Sequence, residues 1–225
     1  MATPQLRFRA ADRKEQILDV ATPLFAQQGF QGTTTKQIAA NSGVTEALIF
    51  RHFPSKEELY WAVIERKINL AGPAERMRER LQVPGTDMET LSGVAEEILE
   101  RRAKDQTLSR LLLYSALENH RLSHRFFAKY VSELYEVLSD YIRQGIAAGR
   151  FRRVDPVLAA RGFLGMVIYH SWVQELFGGK RYQNFSVQHV SRTLAELWLQ
   201  GMLSTPEPAA RGRAAKSNHN GHRRK

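Results

Sequence analysis

The 225-residue chain contains no cysteine. That absence removes disulfides, thiolate metal sites and a cysteine nucleophile together, and it fits a reducing cytoplasm. No stretch approaches the roughly 18 uninterrupted apolar residues of a membrane span. The opening MATPQLRFRAADRKEQ lacks the apolar core of a signal peptide. A cytoplasmic protein with no membrane contact is therefore expected. No alternating run reads as a strand, and no internal repeat is present. There is no glycine-rich phosphate loop and no serine-centred nucleophile elbow. The nearest approach to a catalytic or metal constellation is Glu118, His120 and His124. The two histidines stand at i, i+4, as metal ligands on a helix can. They lack the glutamate placement of the helical zinc-protease motif, and they fall at a turn expected near 120–123. No enzyme activity, metal or cofactor is expected.

What the chain does have is positive charge, +10 overall, which invites a nucleic-acid reading. Its placement weakens that argument. Residues 204–225 carry six Lys/Arg against one acid, which is half of the total, whereas residues 1–60 carry only seven basic residues against six acidic ones. A specific DNA-binding face must therefore be argued from local pattern.

The local pattern is helical nearly throughout. Ile17, Leu18, Ala21, Leu24 and Phe25 share one helix face within 12–28, and Gly29 is a stop. Thr34 with Gln37 fits a capping box, so a short helix is expected over Thr35–Asn41, ended by Asn41-Ser42-Gly43. A second covers Thr45–His52, Pro54 ends it, and Ser55 caps a third that reaches Leu70 before a break at Gly72-Pro73. Longer helices are expected over 87–103, 105–119, 123–148, 155–178 and 185–203. From Thr205 the composition reads as disordered.

Two helices of about two turns joined by a glycine turn make a helix-turn-helix. Ala39 would sit at the helix crossing, and Gly43 would supply a positive φ. Ile38, Val44 and Ile49 would point onto Leu18, Leu24 and Phe25. The stretch ILDVATPLFAQQGFQGTTTKQIAANSGVTEALIFRHFPSKEEL, residues 17–59, resembles the tetracycline-repressor-like (TetR/AcrR) regulators. The resemblance rests on Leu24-Phe25, Gly29-Phe30, Thr33–Thr35, Ile38-Ala39, Gly43-Val44, Phe50, His52-Phe53 and Lys56.

The resemblance implies an all-α protein of about nine helices. Its N-terminal three-helix DNA-binding domain (12–58) would follow a flexible basic arm (1–11) and precede a larger ligand-binding and dimerisation domain (59–203) and a disordered basic tail (204–225). It also implies a homodimer on a palindromic double-stranded operator, most simply a repressor, released by a small hydrophobic or aromatic ligand. Thr45, Glu46 and Ala47 would then be nearest the base edges in the major groove. Glu46 would accept from a cytosine amino group or serve as a solvent-facing or capping carboxylate. Thr35 and Lys36 would meet phosphate or a base edge. Arg51, His52 and Lys56 would meet the backbone. Arg7, Arg9 and Arg13 read either as a minor-groove arm or as solvated charge. Phe50 stands where the family usually carries tyrosine, and Leu48 where small or hydroxylated residues are common. That puts two phosphate contacts in doubt, and Phe50 reads as packing under the motif.

Segment 155–178 is apolar around most of its circumference, so burial on more than one side is expected. With the stripe of the last helix it would form a four-helix interface with a twofold mate, through Val167, Val190, Leu194, Leu197 and Trp198. Tyr114, Phe126, Phe127, Tyr130, Tyr169 and Trp172 read either as core or as walls of a ligand pocket. His170 reads as a polar handle or a satisfied buried histidine. The alternative for the whole chain is a helical protein-interaction adaptor that binds no specific DNA.

Overall fold

The computed structural model describes residues 10–118 and 121–203. Arg7, Arg9, His120 and the tail from residue 204 lie outside the described residues. The described chain is helical: α1 (Ala10–Gly32), α2 (Thr35–Ser42), α3 (Glu46–His52), α4 (Lys56–Ala71), α5 (Pro73–Gln82), α6 (Asp87–Lys104), α7 (Thr107–Leu117), α8 (Arg121–Phe126), α9 (Ser132–Ala147), α10 (Pro156–Glu175) and α11 (Val187–Met202). A π-helical turn, Phe127–Val131, joins α8 to α9, so the single helix expected over 123–148 carries a π interruption. Among the described residues no sheet forms. Phe151 and Leu203 make one isolated bridge.

Several helix starts carry side-chain caps, two of them, Thr34 and Ser55, at the residues expected. Thr34, Thr45, Ser55, Thr86 and Ser186 each accept a backbone N–H of the following first turn, and Thr86 with Glu89 completes a reciprocal capping box. Gly72, in the left-handed region at φ 51°, ends α4 as expected. Pro73 then opens α5, a helix absent from the expectation. Its sequence PAERMRERLQ is mostly charged, but Ala74 and Met77 are buried and Leu81 packs beside them. That spacing of i, i+3, i+7 is enough to hold one face against α6 and α9.

Two cores result. The first joins α1–α4 to Leu111 of α7 and Leu122 of α8. The second joins α5, α6, α9, α10 and α11 with Phe151. Helix α4 is continuous across the expected boundary at 58/59. Leu59, Tyr60, Val63, Ile64 and Ile68 all bury in the first core, so α4 packs with the three helices before it, joined there by Leu111 and Leu122 from later in the chain. Val167, Val190 and Trp198, expected at a subunit interface, are buried in the second core of their own chain. The Trp198 indole N–H donates to the Ala159 carbonyl at 3.0 Å, and its ring meets Phe151 and Phe163 edge-on.

Candidate nucleic-acid interface

Gly43 builds the turn between α2 and α3. At φ 63°, ψ 34° its N–H reaches the carbonyls of Ala39 and Ala40, and the Val44 N–H donates to Ala39 at 3.0 Å. Ala39, Ile38 and Ile49 are buried beneath, against Leu18 and Phe25, with Leu24 and Val44 partly buried beside them. Gln16 donates to the Ser42 carbonyl at 2.8 Å and fastens α2 to α1. These ties hold two helices that are too short to persist alone.

The outward row is Lys36 on α2 and Thr45, Ala47, Phe50 and Arg51 at or on α3, all exposed. Thr45 is the N-cap of α3: its Oγ1 accepts the Leu48 N–H at 3.2 Å, which leaves its hydroxyl proton for a partner outside. Phe50 does not pack under the motif. It is 45% exposed, because Ile49, one position earlier, takes the inward place. An apolar ring and the Ala47 methyl on this face suit thymine methyl groups. Thr35 and Glu46 are not separate contacts: Thr35 Oγ1 donates to Glu46 Oε1 at 2.6 Å and ties α2 to α3. Arg13 lies within α1, where it donates to Gln16, and is not part of a free arm.

Lys56 opens α4 but lies back on the protein, its Nζ 4.3 Å from the centroid of Phe30. Burial lowers its pKa below the ordinary lysine value, and the carboxylates of Glu118 and Glu57 offset this only in part. A phosphate at this position would replace the aromatic face and the Glu118 carboxylate as partner. His52 is half-buried beside Phe53.

The structure adds a contact that sequence reading missed. Three side chains of α7 or its C-cap, at i, i+4 and i+8, bond the backbone of α1. Arg110 Nε donates to the Ala26 carbonyl at 2.6 Å, and the Tyr114 hydroxyl donates to the Gln27 carbonyl at 3.0 Å. Glu118 Oε2 accepts the N–H groups of Phe30 and Gln31 at 3.1 and 3.2 Å. Those backbone groups are available because Gly29, at φ 75° and ψ −179°, interrupts α1. The Tyr60 hydroxyl donates to the Leu111 carbonyl at 2.6 Å, and burial with the neighbouring Glu118 charge raises its pKa. Nothing in residues 105–119 marks these side chains as ligands of a distant backbone.

The six aromatics considered as pocket walls do not converge. Tyr114 belongs to the strut on α1. Phe126 and Tyr130 pack on the first core, where Tyr130 meets Trp61. Phe127 and Tyr169 are exposed. Trp172 is partly buried, and its indole N–H has no partner. An open groove of about 530 Å³ does lie between α5 and α9, where Arg78, Glu133, Glu136 and Asp140 line it beside Leu81, Val137 and Tyr141, and none of the six aromatics reaches it. His170 is half-buried beside Phe185, and burial lowers its pKa despite the nearby Glu175 charge. No group of His and acidic side chains able to hold a metal occurs among the described residues, and no described helix is long and apolar enough to cross a membrane.

Residues 17–63 match the family model for bacterial regulatory proteins of the tetR family, and residues 89–209 that of the AefR-like transcriptional repressor C-terminal domain. The nucleoid occlusion factor SlmA of Photobacterium profundum is 30% identical over 187 residues, 79% of this chain and 92% of that one. NalD of Pseudomonas aeruginosa, the secondary repressor of the MexAB-OprM multidrug efflux pump, superposes with a TM-score of 0.66 at 20% identity, over 86% of this chain and 97% of that one. The transcriptional regulator FadR of Bacillus subtilis, solved with stearoyl-CoA, superposes with a TM-score of 0.65 at 22% identity, over 83% and 98%. At such identity the two superpositions establish the shared fold.

Proposed function

The chain belongs to the tetR family of bacterial regulatory proteins, and from that premise we propose that it is a cytoplasmic, non-enzymatic repressor that holds a palindromic operator as a homodimer and lets go when a small organic molecule enters its C-terminal domain. The observation that carries this reading is the outward row Thr45, Ala47, Phe50 and Arg51, presented on a helix whose inward side is fixed to α1 and α2. A single reading helix covers too few base pairs for specificity, so two copies in successive major grooves, about 34–36 Å apart, are needed.

The mate would dock on the outward face of α10, where Leu158, Gly162, Gly165 and Tyr169 are exposed, together with Leu197 of α11. The glycines leave open space that a second α10 can approach closely. Leu194 borders this face. Release would follow from movement of α7 against α1. Because the strut of Arg110, Tyr114 and Glu118 grips the end of α1 that leads into α2 and ends beside Lys56, a shift of α7 would reorient the reading helices. A coupling of about 1–3 kcal/mol would weaken operator binding roughly 5–150-fold.

Selection of bound fragments from a random DNA pool, followed by sedimentation of the complex, tests this reading. A palindrome with two protein subunits on it is the expected result. Enrichment of no sequence, or a single subunit on the best target, would overturn it.

A further inference from the structure

The inward stripes of α6 and α10 are apolar along most of their length and turn polar at the same end. On α6 the stripe runs Leu91, Ala95, Ile98 and then Arg102, at i, i+4, i+7 and i+11. On α10 it runs Ala160, Leu164, Val167, then Ser171 and Gln174. The two helices pack together, and Gln106, just beyond α6, donates to Glu175 at the end of α10 at 3.2 Å. Both polar ends therefore meet at the α6–α7 turn, the side of the bundle that faces α1.

Arg102 is anomalous there. Arg102 is partly buried, and its guanidinium donates to the hydroxyl of the buried Ser109. Among the described residues no carboxylate pairs with it. The Glu175 carboxylate is held by Lys180 and Gln106, and that of Asp105 by Lys67 and Thr107. Burial brings the Arg102 pKa down to about 10, which still leaves it charged at neutral pH. A buried, uncompensated cation is strongly unfavourable. Two further polar atoms at this end are buried without partners among the described residues, the indole N–H of Trp172 and Oε1 of Gln174. Buried polar groups are normally satisfied, and a cluster that is not points to a missing partner.

We propose that Arg102 anchors the ionised carboxylate of a small organic acid, whose apolar body inserts between the stripes leading up to it and parts them. A guanidinium fork matches a carboxylate with two parallel hydrogen bonds, and the Ser109 hydroxyl and Trp172 indole supply further donors at the same end. A cleft of about 290 Å³ opens over this end against α1, lined by Lys104, Asp105, Gln106, Thr107 and Arg110 on one side and Pro23, Ala26 and Gln27 on the other; the Asp105 carboxylate in it is already held by Lys67 and Thr107. An acid entering by it would press on the contact between Arg110 and Ala26. The inference rests on the regulator reading above and names the ligand class of that protein.

The test compares straight-chain carboxylates from butanoate to dodecanoate, and benzoate, with the corresponding primary amides at fixed ionic strength. Binding is read by calorimetry and by melting, on the wild type and on Arg102→Met. At least one acid is expected to bind the wild type and to outbind its amide about tenfold or more, since hydrogen bonds to charged groups are the strong ones. Arg102→Met is expected to lose that preference while the free variant melts no lower than the wild type, because an uncompensated buried charge has gone. Three results would each overturn the proposal: no acid outbinding its amide, an acid preference that survives in Arg102→Met, or a free variant that melts well below the wild type. Selected operator DNA is bound by both proteins if the regulator reading holds. Failure of the wild type to bind any such DNA refutes that reading instead, independently of the acid series.

Discussion

Gly29→Ala probes the contact between the two parts of the molecule, and its cost separates into two parts. The backbone at φ 75°, ψ −179° lies where only glycine is comfortable, which contributes about 1–3 kcal/mol of strain for any other residue. In addition, a Cβ at this position would overlap Glu118 Oε1 and come within 2.8 Å of Tyr114 Cδ1. The Glu118 carboxylate would have to leave the N–H groups of Phe30 and Gln31. Losing such charge-assisted bonds costs about 1.5–3 kcal/mol. Gly29→Ala should therefore destabilise by about 2.5–6 kcal/mol, a large share of the roughly 5–15 kcal/mol that holds an ordinary domain. Glu118→Ala alone should remove about 1.5–3 kcal/mol. The double variant should be little worse than Gly29→Ala, because the alanine Cβ no longer displaces a bond that is already absent. Urea unfolding of the four proteins gives the cycle, with unchanged m values as the condition for reading it. If the two substitutions add to within about 0.5 kcal/mol, the carboxylate does not depend on the missing Cβ, and the account of Gly29 is wrong.

Lys56→Ala should weaken binding to every DNA sequence and lower the salt slope by about 1; an unchanged slope would remove Lys56 from the phosphate contacts. Phe50→Ala, measured on the selected operator and its single-base variants, should lose preference at one position without lowering the melting temperature, since the ring is exposed; a marked drop in melting temperature would mean that it packs after all. Burial alone would raise the Asp105 carboxyl, but hydrogen bonds from Lys67 and Thr107 prevail and bring it down to about 2. Its stabilising contribution is therefore present above the ordinary carboxylate range near pH 4 and fades as pH falls toward 2. Asp105→Asn should accordingly lower stability at pH 7 and make no difference near pH 2; a gap that does not narrow on acidification would refute the pairing.

The reading module was legible in the sequence because its determinants are local. The caps at Thr34 and Ser55, the small Ala39 and the turn at Gly43 each act within a few residues of themselves, and the structure uses them as read; Thr45, read as the first residue of its helix, caps it instead. The same holds for the all-helical architecture, since a 3.6-residue period needs no partner to be recognised. Periodicity failed where charge hid a narrow apolar face, as in α5. It also failed to distinguish an inward residue from one facing a second subunit: Val167, Val190 and Trp198 are apolar at helical spacing in either case. Only the packing of α10 against α6 and α9, and of α11 against α6 and α10, put them inside.

What the chain alone determined, then, is which segments coil, where most of them stop, and which short pair forms the helix-turn-helix, because hydrogen bonds and side-chain volumes within one or two turns decide those matters. What only the tertiary structure decided is which distant groups meet. The Glu118 carboxylate finds two backbone N–H groups 87 and 88 residues away, and Arg102 ends an apolar stripe with no acid beside it. Such pairings depend on the angle and depth at which whole helices pack. A single side chain carries no record of that geometry until the cores have formed around it.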